Sequence, residues 1–168
     1  MKIKNFEFKA KVSDLQKFEN KLLQLNPIYK GEDHQIDTYF NVPIGRLKLR
    51  EGNIENALIN YIRENTADSK KSEIILYQHN PNKALKAILS LQFGKKAVVD
   101  KKRKIYFIDN VKFHFDIVEN LGTFIEVEAI DTDESFTLDE LKQLCDFYFN
   151  YFGLEKTDLI DLSYSDLV

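Results

Sequence analysis

The chain has 168 residues, 43% of them hydrophobic, with thirteen Phe and eight Tyr, enough for one soluble domain over residues 1–168 with a sizeable core. A net charge of −3 gives no overall reason to expect nucleic acid or an anionic membrane as partner, so any anion site must come from local clustering. The lone cysteine, Cys145, excludes an intrachain disulfide and a multi-cysteine zinc site, and with no apolar run of membrane-spanning length it points to the cytoplasm.

Asn5 to Lys11 alternates, with Asn5, Glu7, Lys9 and Lys11 on one face and Phe6, Phe8 and Ala10 on the other, the period of a two-faced strand. Ser13-Asp14-Leu15-Gln16 reads as a capping box, and Leu15, Phe18, Leu22 and Leu25 continue at helical spacing to a stop near Asn26-Pro27. Residues 33–41 alternate again, setting Gln35, Asp37 and Tyr39 against Ile36, Thr38 and Phe40.

Pro43 and Gly45 turn the chain into Arg46-Leu47-Lys48-Leu49-Arg50. The three cations on one face are either solvated or gathered for an anion. Strand residues i and i+2 lie about 6.6–7 Å apart, so successive cations can reach different phosphates of one polyphosphate.

Residues 57–64 form a strand grouping Ile59, Tyr61 and Arg63; residues 65–71 read as a polar loop, and 73–78 as a short strand. Asn80-Pro81 reads as a helix cap followed by proline at the first helical position, with Leu85, Ile88, Leu89 and Phe93 continuing to Gly94. Val99, Lys101, Arg103 and Ile105 then share one strand face, and Lys112, His114, Asp116 and Val118 another. Glu126 and Glu128 point one way from the next strand, and a capping box at Thr137 to Glu140 opens a helix closed around Gly153. The tail from Leu162 is too short to classify alone.

The expected fold is α+β, about eight strands in antiparallel pairing with three flanking helices. If each apolar face packs against helices, the charged faces turn toward one another inside a closed barrel. A dry interior of that kind would be prohibitively unstable, so it must hold water, metal and a highly charged ligand. Many Lys and Arg beside paired carboxylates suit a polyphosphate whose oxygens meet the cations while Glu7, Glu126 and Glu128 hold Mg²⁺ or Mn²⁺, hard ions that prefer oxygen. Tyr39, Tyr61 and His114 read as wall residues, and His34 and His79 as surface.

In this order the motifs resemble the CYTH superfamily, the triphosphate tunnel metalloenzymes. Asn5-x-Glu7-x-Lys9 matches its Glu-x-Glu-x-Lys signature, and Gln35-x-Asp37-x-Tyr39-Phe40, Arg46-x-Lys48-x-Arg50, Lys101-x-Arg103, His114-x-Asp116 and Glu126-x-Glu128 match its internal motifs. The stretch from Tyr39 to Arg50 and the tail from Ser163 to Leu167 look most like the class IV adenylate cyclase branch, often labelled CyaB-like.

The resemblance implies a triphosphate ligand such as ATP, tripolyphosphate or thiamine triphosphate, bound by Lys9, Arg46, Lys48, Arg50, Arg63, Lys101 and Arg103. It implies metal at Glu7, Glu126 and Glu128, and catalytic parts for Lys9 and Asp116. The activities it implies are cyclisation of ATP to cyclic AMP and pyrophosphate, triphosphate hydrolysis, or binding alone. Asn5 departs from the signature: its amide oxygen can coordinate a hard cation but brings no charge. An exposed apolar face on a barrel strand would favour a homodimer.

Overall fold

The computed structural model describes residues 1–63 and 70–168. Its strands are β1 (Lys2–Lys11), β2 (Ile28–Phe40), β3 (Arg46–Glu51), β4 (Ala57–Arg63), β5 (Lys70–Gln78), β6 (Lys95–Ile108), β7 (Val111–Val118) and β8 (Gly122–Asp131). Four helices accompany them: α1 (Leu15–Leu23), α2 (Lys83–Phe93), α3 (Leu138–Tyr151) and the short α4 (Tyr164–Leu167). The strands close in the order β1-β5-β4-β3-β2-β6-β7-β8, every pair antiparallel. Closure leaves no unpaired edge.

The apolar faces turn outward, as expected. Phe8 and Ala10 of β1, Phe113 and Phe115 of β7, and Ile125, Val127 and Ala129 of β8 form one cluster with Leu22 of α1 and Leu141, Cys145 and Tyr148 of α3. A smaller cluster sets Leu89 of α2 against Phe40 and Leu49. Most of the hydrophobic core therefore lies between barrel and helices, and the barrel interior combines polar and charged side chains with a smaller apolar wall.

Several boundaries differ from the sequence reading. The cap of α1 is Asp14, whose carboxylate accepts from the Lys17 amide at 3.2 Å, and the helix ends at Leu23. Strand β2 starts at Ile28 and runs through a bulge between Tyr29 and Gly31, which the polar stretch ahead of residue 33 concealed. The cap of α2 is Asn82, accepting from the Ala84 amide at 2.8 Å, so Pro81 precedes the helix.

The expected loop at 65–71 falls largely outside the described residues, and β5 already begins at Lys70. The capping box at Thr137 forms as read, with the Glu140 amide donating to Thr137 Oγ1 at 3.2 Å and the Thr137 amide to Glu140 Oε2 at 2.7 Å. Gly45, at φ 65°, makes the turn into β3. A Cβ there would stand 2.6 Å from the Tyr61 carbonyl oxygen, so both space and backbone conformation call for glycine.

Candidate active site

The barrel encloses a cavity of about 1000 Å³. Among the described residues, eight Lys and Arg side chains line it against four Glu, although the whole chain is net negative. The alternation noted on β1, β3, β4, β6 and β8 points Glu7, Lys9, Lys48, Arg50, Arg63, Lys101, Arg103, Glu126 and Glu128 into this space.

One wall is organised by Asp37, which is fully buried. Its Oδ2 accepts from Lys48 Nζ at 3.0 Å, Lys101 Nζ at 2.9 Å and Arg50 Nη2 at 2.9 Å, while Oδ1 accepts from Arg50 Nε at 2.9 Å. Burial opposes ionisation, but Arg50, Lys101 and Lys48 together outweigh it and hold the carboxyl well below the usual range. Arg50 Nη1 also donates to Glu55 Oε2 at 3.1 Å, and Lys112 donates to the other oxygen of Glu55. Asp33 accepts from the amides of Ile54 and Glu55 at 2.9 and 3.0 Å and so fixes that turn. One carboxylate thus holds three cations in a fixed array, pre-organised for an anion with several charged oxygens.

Beside this wall, Asp116 takes Arg103 in a two-point pair, Nε to Oδ1 at 2.7 Å and Nη2 to Oδ2 at 2.6 Å, and accepts from the Tyr164 hydroxyl at 2.7 Å. Asp116 is fully buried and lies behind Arg103, off the cavity surface. Lys9 Nζ stands 4.0 Å above the Tyr164 ring and 3.5 Å from Glu126 Oε2. Arg63 Nη1 donates to Glu7 Oε1 at 2.7 Å; its Nε and Nη2 have no partner. Arg46 does not line this cavity: its Nη2 donates to Asp166 Oδ2 at 2.8 Å.

On β7 and β8, His114, Glu126 and Glu128 converge, with one ligand atom from each within 4.8 Å of the others. Burial, the Glu126 charge and then Glu7 push the Glu128 carboxyl up to about 8, so it holds a proton at neutral pH. Burial also disfavours charge on Glu126, but Lys9 and Arg103 overcome it and keep that carboxyl ionised. Burial and Arg103 pull His114 down to about 3, leaving a neutral imidazole. Both of its ring nitrogens lack a partner. Two carboxylates and a neutral imidazole are a donor set suited to a divalent cation, which would take the place of the Glu128 proton.

Asn5 and Ser72 are buried and face each other across β1 and β5, and the side-chain polar atoms of both are unpartnered. Tyr39 and Tyr61 are wall residues, as read. His34 lies on the surface at 2.7 Å from Asp100 Oδ1, whereas His79, expected there too, lines the cavity. The sequence reading missed the parts of Glu55, Asp33 and Tyr164. Glu55 sits in the turn after β3, where no periodicity marks a face; Asp33 shares the face of Gln35 and Asp37 on β2, but a strand pattern does not show that its carboxylate binds the amides of that turn; and Tyr164 enters from the tail.

Fold and cavity together define a closed antiparallel barrel with a charged tunnel, a cationic wall and a cluster able to hold metal. The CYTH domain family matches residues 4–161, and the chain belongs to that family. Its members are adenylate cyclases or triphosphatases, metal-dependent enzymes acting on triphosphates. The chain is 28% identical over 169 residues to adenylate cyclase CyaB of Aeromonas hydrophila, covering 96% of this chain and 86% of that protein. Its fold is similar to that of a conserved hypothetical protein from Pyrococcus furiosus, with a TM-score of 0.81 at 24% identity over 98% of this chain and 99% of the other. It is also similar to HpAC1 from Hippeastrum, a protein with a dominant triphosphatase activity, with a TM-score of 0.63 at 13% identity over 92% and 89% of the two chains. These two structural likenesses carry the fold alone.

Proposed function

We propose that this chain is a cytoplasmic, metal-dependent enzyme acting on a triphosphate inside the tunnel, with class IV adenylate cyclase chemistry on ATP. The observation that carries this reading is the Asp37-ordered wall of Lys48, Arg50 and Lys101, continued by Arg103, whose Nη2 lies 3.5 Å from Glu126 Oε2, to the cluster of His114, Glu126 and Glu128. The cations hold the phosphate oxygens and keep the chain of phosphorus atoms in line; phosphoryl transfer asks a protein mainly for such positioning and charge stabilisation. Mg²⁺ or Mn²⁺ held by Glu126 and Glu128, with Glu7 nearby, supplies Lewis-acid stabilisation of phosphate charge when bound.

Lys9 contacts the reacting phosphate, and Arg63 offers its free guanidinium nitrogens to the same anion. Asp116 acts through Arg103, whose plane it fixes. Arg46 contributes through Asp166, tying the tail to β3. In cyclisation the ribose 3′-hydroxyl gives up its proton to solvent, its oxygen forms a bond to the α-phosphorus, the bond from that phosphorus to the oxygen shared with the β-phosphate breaks, and pyrophosphate leaves. A stretch of apolar wall from Ile3, Ile59, Ile74 and Leu76 offers a seat for an organic group attached to the triphosphate, which favours ATP over tripolyphosphate.

Membership of a family that includes triphosphatases supports a second reading, in which water attacks in place of the ribose hydroxyl. Incubation of the purified protein with ATP or tripolyphosphate plus Mg²⁺ or Mn²⁺, resolving the products, tests both. Cyclic AMP with pyrophosphate is expected; orthophosphate establishes the second reading, and no product from any triphosphate overturns both. Replacing Arg50 or Arg103 with Ala weakens polyphosphate binding in either case, and unchanged binding removes them from the site.

A further inference from the structure

We infer that His114 is a third ligand of the tunnel metal, and that its nitrogen makes the site prefer Mn²⁺ to Mg²⁺. The inference rests on the metal-dependent reading above and adds to it a ligand of a different chemical kind.

The side chain is 1% exposed. A buried imidazole normally has a partner on at least one nitrogen, yet neither Nδ1 nor Nε2 of His114 has one. Its register on β7 accounts for where it points. His114 pairs with Glu126 and Lys112 with Glu128 across β7 and β8, so His114 stands on the inner face directly opposite one glutamate and diagonal to the other. Nδ1 lies 3.7 Å from Glu126 Oε1 and 3.8 Å from Glu128 Oε1. Both distances are too long for a hydrogen bond and suit atoms arranged around a common ion. The strand pairing fixes this approach, so the convergence does not depend on a loop.

On β1 the site meets Glu7, which pairs with Glu128, and beyond it Asn5, which brings no charge. Asn5, two residues before Glu7 on the same strand face, offers an amide where a carboxylate would strengthen an all-oxygen site. A hard ion such as Mg²⁺ gains most from carboxylate, carbonyl and water oxygens in strict octahedral geometry. Imidazole instead adds more to the binding of a first-row transition ion than to that of Mg²⁺, and Mn²⁺, though the weakest binder of that row, is such an ion. One nitrogen gained and one carboxylate absent therefore act in the same direction.

The test uses the full chain without substrate. Mn²⁺ is titrated into the protein and followed by electron paramagnetic resonance, the bound ion is examined for ¹⁴N modulation by electron spin echo, and Mg²⁺ is titrated as a competitor. Directly coordinated imidazole nitrogen is expected in the wild-type spectrum, with Mn²⁺ bound at least about tenfold more tightly than Mg²⁺. His114→Asn is expected to lose the modulation and most of the preference while Mg²⁺ affinity changes by less than about threefold. Circular dichroism and the thermal midpoint establish that the variant folds, and the wild-type spectrum bears on the inference without any variant. Mn²⁺ bound without nitrogen modulation overturns the ligand assignment and leaves the carboxylate site standing. Failure to bind Mn²⁺ at all overturns both the inference and the metal-dependent reading.

Discussion

Asp37 is the residue on which the cationic wall depends. With Lys48, Arg50 and Lys101 all bound to one buried carboxylate, Asp37→Asn leaves three cations close together with their counter-charge gone. Removing one partner from a buried ion pair costs about 3–5 kcal/mol. The carboxyl is held below its unfolded value near 3.9, so its contribution is full above roughly pH 4 and is lost as pH falls through the folded value. Urea midpoints from pH 7 to 3 should show wild type well above Asp37→Asn at neutral pH and the gap closing below about pH 4. A gap that stays constant with pH would show that the carboxylate charge is not what holds the wall. Asp37 was legible as a member of an inward face because Gln35 and Tyr39 share its period. That it gathers three cations was not, since a strand pattern gives the face but not the partners across it.

Elements show the same division. Helix α3 was readable at both ends, because its capping box and Gly153 act through contacts a few residues apart. The caps of α1 and α2 each lay one or two residues from the sequence reading, because Ser13 with Asp14, and Asn80 with Asn82, offer adjacent acceptors and only the packed backbone chooses between them. Helix α3 also seals the apolar outer face of β1 and β8. Leu141 is fully buried there, and Cys145 Sγ donates to the Phe6 carbonyl at 3.3 Å. Burial pushes the Cys145 thiol up to about 12, so it stays a protonated, inert core group. Ellman's reagent should leave it unmodified in the folded protein and titrate one thiol in denaturant. Leu141→Ala should cost about 2–5 kcal/mol by urea denaturation and speed that modification through local opening of α3. Rapid labelling of native wild type would mean that α3 does not seal this face.

Across the whole molecule, charge is sorted rather than merely present. The net charge of −3 gave no hint of an anion site, because it hides the fact that, among the described residues, eight Lys and Arg are gathered in one tunnel, facing four Glu and backed by the buried Asp33, Asp37 and Asp116. The alternation on five strands revealed the sorting; composition could not, since it carries no information about faces. Lys48, Arg50 and Lys101 crowd around the single carboxylate of Asp37, and their mutual repulsion is relieved by a polyvalent anion. Tripolyphosphate should therefore stabilise the fold even with divalent metal removed by chelator. At a free concentration one hundred times its Kd, binding to the folded state alone contributes about 2.7 kcal/mol, which for a chain of this size corresponds to a rise of about 5–11 °C in thermal midpoint. Sodium chloride at matched ionic strength should give far less, because screening is not specific to the tunnel. Arg50→Ala should keep the fold while losing most of the tripolyphosphate shift. Equal shifts from chloride and tripolyphosphate, or a full shift in Arg50→Ala, would place the anion elsewhere than on the wall that Asp37 orders.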